Sequence, residues 1–173
     1  MLYLQATKKA LTRLGLGREK LSGPGTTTSA LGNWFVNVVP MGGREAYLFM
    51  STRSLLSFPV LIGKHEPDPS DMPTFLQHGI TMLMKSMNVP RGQISLLLRD
   101  LSTVALCTNQ DKSLVGVYSA VANEYFQRLA EQDDLPHADI SSVIADTNST
   151  PRATLEWSHS IEVTRELLAA SVA

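Results

Sequence analysis

Two strand-forming segments, Trp34–Val39 and Ala46–Met50, stand either side of Pro40-Met41-Gly42-Gly43, and that spacing commits the middle of the chain to a β-hairpin. Ser51-Thr52-Arg53-Ser54 reads as the next turn, and Leu56–Ile62 as a third antiparallel strand. Pro59 confines that strand to an edge or a bulge, because proline has no N–H to give a ladder.

Leu2, Tyr3 and Leu4 predict a short first strand, and Thr7 can cap a helix whose Ala10, Leu11 and Leu14 share a face. Gly15 or Gly17 ends it, and residues 17–32 follow as an aperiodic loop rich in Gly, Ser and Thr, mobile or functional. Beyond the proline-rich stretch Lys64–Met72, a helix starts near Pro73 with Leu76, Ile80, Leu83, Met84 and Met87 in one stripe. Gly79 inside it costs about 1 kcal/mol against alanine. Pro90–Leu101 reads as a further helix, with a strand over Ile94–Leu98 left open, and Thr103–Cys107 as a buried strand. The strongest helix lines up Leu114, Val117, Tyr118, Val121, Tyr125 and Leu129. Asp139–Thr147 is a shorter helix, Pro151 ends that region, and Ile161–Ala170 is helix-prone. The expectation is one α+β domain over residues 1–173, a mainly antiparallel sheet of about four to five strands packed by about four to five helices.

The apolar fraction of 43% rules out disorder, and 173 residues suffice to bury a core. Fifteen cations against sixteen anions leave a net charge of −1, so composition promises no basic stripe and disfavours a nucleic-acid partner. Cys107 stands alone and cannot form an internal disulfide. The longest apolar runs, Leu55–Ile62 and Ile94–Leu98, fall short of the roughly 18 residues a membrane span needs. With no secretion signal, a cytoplasmic location and no membrane partner are the expectation.

Signatures of chemistry are missing one by one. His65, His78, His137 and His159 are isolated, so no metal site is expected. Gly23-Pro24-Gly25 lacks the Lys-Ser/Thr of a phosphate loop, no dinucleotide fingerprint is complete and no GxSxG elbow occurs, so no cofactor is expected. Cys107 closes an apolar strand and reads as a packed thiol unless His137 or His159 reaches it, and Asp133-Asp134 reads as a surface pair. Whether the chain is an enzyme stays open.

One pattern recurs. Thr7-Lys8-Lys9 and Thr108-Asn109 with Lys112-Ser113 each follow an apolar strand and open a helix, and Arg53 ends the hairpin in similar company. Helix N-termini favour anions, and cations placed there oppose the helix dipole. Thr7, Lys8, Lys9, Arg53, Thr108, Asn109, Lys112 and Ser113 therefore form a candidate anion-binding set, with Arg152 as a further cation. Plain helix capping explains the hydroxyls equally. The discriminating observation is whether Thr7, Thr52 and Thr108 cluster.

The segments LQATKKALTRLGL, LGNWFVNVVPMGGREAYLFMSTRSLLSF, CTNQDKSLVGVYSAVANEY and ADTNSTPRATL, in that order, resemble a family of uncharacterised bacterial proteins of unknown function. The positions carrying the resemblance include Thr7, Lys8, Lys9, Trp34, Asn37, Arg44, Thr52, Ser57, Thr108, Asn109, Lys112, Ser113, Gly116, Asn148 and Pro151. The resemblance implies no reaction.

Two readings follow. The favoured one is a non-catalytic interaction or regulatory protein with a protein partner or a homodimeric state, working through the hairpin or the Gly/Thr loop. Trp34, Phe35 and Tyr47 would offer it an aromatic patch, although core packing accounts for them better. The alternative is a small enzyme or binding protein for a phosphorylated or carboxylated small molecule held by the anion-binding set.

Overall fold

The structure is a computed structural model that describes residues 1–17, 19, 21, 23–65, 67–109, 111–132 and 139–171. Gln110, Asp133, Asp134 and His137, and parts of the 17–32 loop and of the carboxyl-terminal tail, lie outside the described residues. Five strands form one sheet in the order β4-β3-β2-β1-β5: β1 is Leu2–Ala6, β2 Trp34–Met41, β3 Arg44–Ser51, β4 Ser57–Leu61 and β5 Val104–Thr108. Six α-helices accompany them among the described residues, α1 Lys8–Arg13, α2 Met72–Ser86, α3 Arg91–Asp100, α4 Lys112–Ala130, α5 Ile140–Asn148 and α6 Ser160–Ala170.

The hairpin closes as the glycines require. Gly42 and Gly43 take φ of 55° and 77°, the mirror-image turn whose twist matches the flanking strands, and Met41 pairs with Arg44. The sheet is mixed: β2, β3 and β4 run antiparallel, while β1 lies parallel to both β2 and β5. β4 is the edge strand that Pro59 called for.

The two faces of the sheet are covered by different helices. Leu2, Leu4, Trp34, Val36, Phe49 and Phe58 pack toward α1, α2, α3 and α6. Phe35, Val39, Leu48 and Met50 pack toward Tyr118, Val121 and Tyr125 of α4 and Val143 of α5. The sequence stripe of α2 is buried along its whole length, and in α4 the stripe begins at Tyr118, because Leu114 and Val117 are only half-buried. Trp34, Phe35 and Tyr47 are wholly buried, so they build the core and present no contact patch.

Gly79 sets how closely α2 lies on the sheet. A Cβ there would stand 2.0 Å from Cε2 of Phe58, inside any tolerable contact. That ring is itself clamped, at 5.7 Å from Trp34 and stacked 5.2 Å from Phe49. The propensity lost at glycine is thus exchanged for close packing of helix against sheet.

Candidate functional site

The parallel strands β1 and β5 end side by side, Ala6 opposite Thr108, and Asn109 donates its N–H to the carbonyl of Ala6 at 3.3 Å. From there the chain departs to opposite faces, through α1 on one and α4 on the other. Such a switch at the carboxyl ends of parallel strands opens a crevice, the usual ligand position in open sheets. Thr7, Lys8, Thr108, Asn109, Lys112 and Ser113 all belong to this edge.

Their side chains do not form one cationic set. The hydroxyl of Thr7 accepts from the N–H of Ala10 as the cap of α1 and donates to Oδ1 of Asn37. Lys9 reaches Glu45 at 3.3 Å, and Arg13 meets the same carboxylate at 3.1 Å. Asp111 caps α4, taking the N–H of Ser113 at 2.9 Å and its hydroxyl at 2.6 Å, so a carboxylate of the chain already holds that helix start. These bonds hold the Asp111 carboxyl below its ordinary range. Asn109 folds onto Asp111 in a local turn.

Arg53 and Thr52 lie at the other end of the sheet. Ser51 pairs with Trp34, which pairs with Leu4, so Thr52 and Thr7 are separated by four residues along the strands, about 13 Å, before the lateral offset is added. Arg53 donates to the carbonyl of Ala30 at 3.0 Å, and Thr52 donates its backbone N–H to the carbonyl of Asn33 at 2.9 Å. The three strand ends do not share a mouth. Arg152 is also spoken for: its side chain is 11% exposed and donates to Glu124 at 3.1 Å and to the carbonyl of Thr147 at 2.9 Å.

Two features that the sequence reading passed over are more prominent. The first is a groove of about 710 Å3 beside β4, between α2, α5 and α6. Its floor is apolar, with Phe58, Val60, Leu83, Met87, Ile144 and Ile161, and His78, Ser86, Ser141 and Arg165 edge it. Met82, 55% exposed, flanks the opening.

Asn148 closes the edge strand at the base of that groove. Its carboxamide accepts the N–H of Ser57 at 2.8 Å and donates to the carbonyl of the same residue at 2.8 Å, as a neighbouring strand would. Tyr125 adds its hydroxyl to that carbonyl at 3.0 Å. Outward-facing residues alternate along a strand, so Pro59 and Leu61 follow Ser57 in facing away from the sheet. Ser57 is satisfied and Pro59 has no N–H, which leaves Leu61 as the one outward donor of β4. An incoming strand finds a single donor beside the carbonyls of Pro59 and Leu61, which weakens pairing at this edge, and the groove offers side-chain contact as well.

The second feature is Trp157, 73% exposed, on the loop from α5 to α6. Glu156 and Trp157 both take left-handed backbone, with φ of 53° and 67°, which costs about 1–2 kcal/mol for each residue with a side chain. The loop is pinned by Arg152 N–H to Ser158 at 3.0 Å, Trp157 N–H to Arg152 at 2.9 Å and a bridge between Pro151 and His159. Beneath it Glu124 gathers Arg128, Arg152 and Thr150. Burial pushes the Glu124 carboxyl up, but the hydrogen bonds from Thr150 and Arg128 and the charge of Arg152 outweigh it and hold the group below its ordinary value. The signal available in the sequence was a tryptophan standing alone in a polar stretch, outside every apolar stripe.

No group of three or more metal-ligating side chains exists among the described residues, and none of their helices is long and apolar enough to cross a membrane. The molecule is an α+β fold with a five-stranded mixed sheet and six helices among the described residues. It belongs to the family described as a domain of unknown function, DUF6933, whose sequence profile matches residues 3–163. No curated protein matches the chain.

Proposed function

We propose that the chain is a non-catalytic interaction protein whose docking surface combines the β4 groove with the Trp157 loop, and whose partner is a second copy of itself. The observation that carries the reading is Trp157, a large aromatic side chain held in solvent by strained backbone on a loop that lies over a half-buried ion-pair network. Strain is retained where it positions something, and tryptophan in a rigid setting is the commonest kind of interface anchor.

Self-association follows from three supports. Anchor and receptor occur on the same chain, as a two-fold interface requires, and α5 and α6 line the groove while also forming the stems of the loop. Seventeen residues line the groove, which with the loop approaches the roughly 20–30 per side of a standard interface. A net charge of −1 opposes no like-with-like approach.

Sedimentation equilibrium of the full chain tests this, read beside tryptophan emission. Trp34 is buried in the monomer, so a blue shift with rising concentration reports on Trp157. Trp157→Ala and the groove-filling Ala145→Trp both hold the chain monomeric. A wild-type chain that remains monomeric at about 100 µM, above the µM constants of weak standard-size interfaces, rejects the proposal.

A further inference from the structure

A second cavity, of about 360 Å3, opens between the outer half of β2 and α4, and nothing described so far uses it. β1 ends at Ala6, opposite Val36, so β2 runs on past it, and the outer half of β2 forms the cavity floor with Asn37, Val39 and Pro40. Tyr118, Ser119, Ala122, Asn123 and Phe126 of α4 form its wall.

The chemistry of this wall is particular. Oδ1 of Asn37 is committed to the hydroxyl of Thr7 and, at 2.8 Å, to the N–H of Val38. Its NH2 group has no partner among the described residues, nor has the carboxamide of Asn123. Phe126, 49% exposed, stands on the same wall and offers a ring face, with Pro40 on the floor. Among the described residues no ionised side chain lines the cavity. The hydroxyl of Tyr118 is spent on the carbonyl of Leu48 at 2.9 Å, and burial pushes it well above the ordinary tyrosine range.

We infer that this crevice is a binding site for a planar, uncharged heteroaromatic ring with an amide-like edge. The free donor of Asn37 and the donor–acceptor carboxamide of Asn123 meet such an edge, as asparagine does when it reads a base, and Phe126 packs on the ring face. An aliphatic ligand would leave both carboxamides desolvated without partners, and an anion would find no cation in the wall.

The four common ribonucleosides carry such rings and serve as probes, titrated calorimetrically against the full chain. At least one binds saturably below about 1 mM, the weak end for a ligand of this kind. Phe126→Ala weakens it about tenfold or more, the scale of lost aromatic stacking. Asn37→Asp keeps the oxygen that Thr7 and Val38 use, converts the free donor to an acceptor and lowers affinity by a comparable factor. Ala122→Trp fills the cavity and abolishes binding. If Ala122→Trp unfolds the chain, the exposed Asn123→Ala and Phe126→Ala decide, and unchanged affinity in both overturns the inference. Absence of saturable binding by all four nucleosides, or full affinity in a folded Ala122→Trp, overturns it equally.

Discussion

Replacing Gly79 by alanine sets two opposed effects against each other at one atom. Helix propensity favours the change by about 1 kcal/mol. The new methyl, however, would sit 2.0, 2.4 and 2.5 Å from three carbons of the Phe58 ring, where about 3.5–4.0 Å is the comfortable separation. The ring has nowhere to go, being 2% exposed and held between Trp34 and Phe49. Either α2 lifts by more than an ångström, opening the groove floor, or the aromatic cluster repacks. Overpacking of this severity costs about 3 kcal/mol, the upper end of its usual range, so the net loss is about 2 kcal/mol. For a chain of this length that lowers Tm by about 4–8 °C. Gly92 and Gly116 supply the control: a Cβ at either meets nothing within 4 Å, so alanine there stabilises by about 0.5–1 kcal/mol. Urea unfolding of the three variants reads all of this. A Gly79→Ala protein as stable as wild type would refute the claim that the ring pins the helix.

Asn148→Ala strips the N–H of buried Ser57 of its partner, leaves its carbonyl to Tyr125 alone, and lowers unfolding free energy by about 1–3 kcal/mol in urea titrations, while Asn148→Asp still accepts that N–H but loses the donation to the carbonyl. Glu124 has a folded pKa below its ordinary 4.5, so its contribution is complete above that value and is lost as pH falls through the folded one. Glu124→Gln therefore flattens the acid limb of a stability–pH profile measured by thermal melting, and an unchanged acid limb would remove the carboxylate from the account. Burial pushes the Cys107 thiol up to about 11, so Ellman's reagent at about pH 8 leaves the native chain almost unlabelled and titrates one thiol in denaturant.

Much of the fold is legible because local signals and tertiary demands coincide. Gly42-Gly43 can adopt the hairpin turn without steric cost, Pro73 sits in the first turn of α2, and Pro59 marks the edge strand. The parallel pairing of β1 was beyond reach, since Leu2–Ala6 is compatible with either direction and only the crossover through α1 decides it. Seven of the eight anion-set residues, all but Arg53, stand at the two helix starts to which the strand-then-helix grammar assigned them. What no local pattern could show was where each side chain spends its hydrogen bonds. Glu45, distant in sequence, takes Lys9. Asp111 lies within the very motif, yet its role as the cap of α4 appears only when the backbone turns Ser113 onto it.

The residues that carry the family resemblance meet one another in pairs. Thr7 bonds Asn37, and Ser57 bonds Asn148 across 91 positions of sequence. Hydroxyls and carboxamides at such positions look like chemistry when read along the chain, because catalytic sites use the same groups. In the fold they hold the start of α1 to β2 and seal β4 against a passing strand, and both tasks concern integrity. An atom consumed in this way is unavailable to a ligand, although the NH2 group of Asn37 is left over. Apart from Asn37, the exposed features on which the proposals rest, Trp157, Met82 and Phe126 with the carboxamide of Asn123, lie at positions the resemblance does not mark. Family membership thus comes with no reaction attached, and the sites proposed for this chain rest on the apolar and amide groups that its own packing leaves unused.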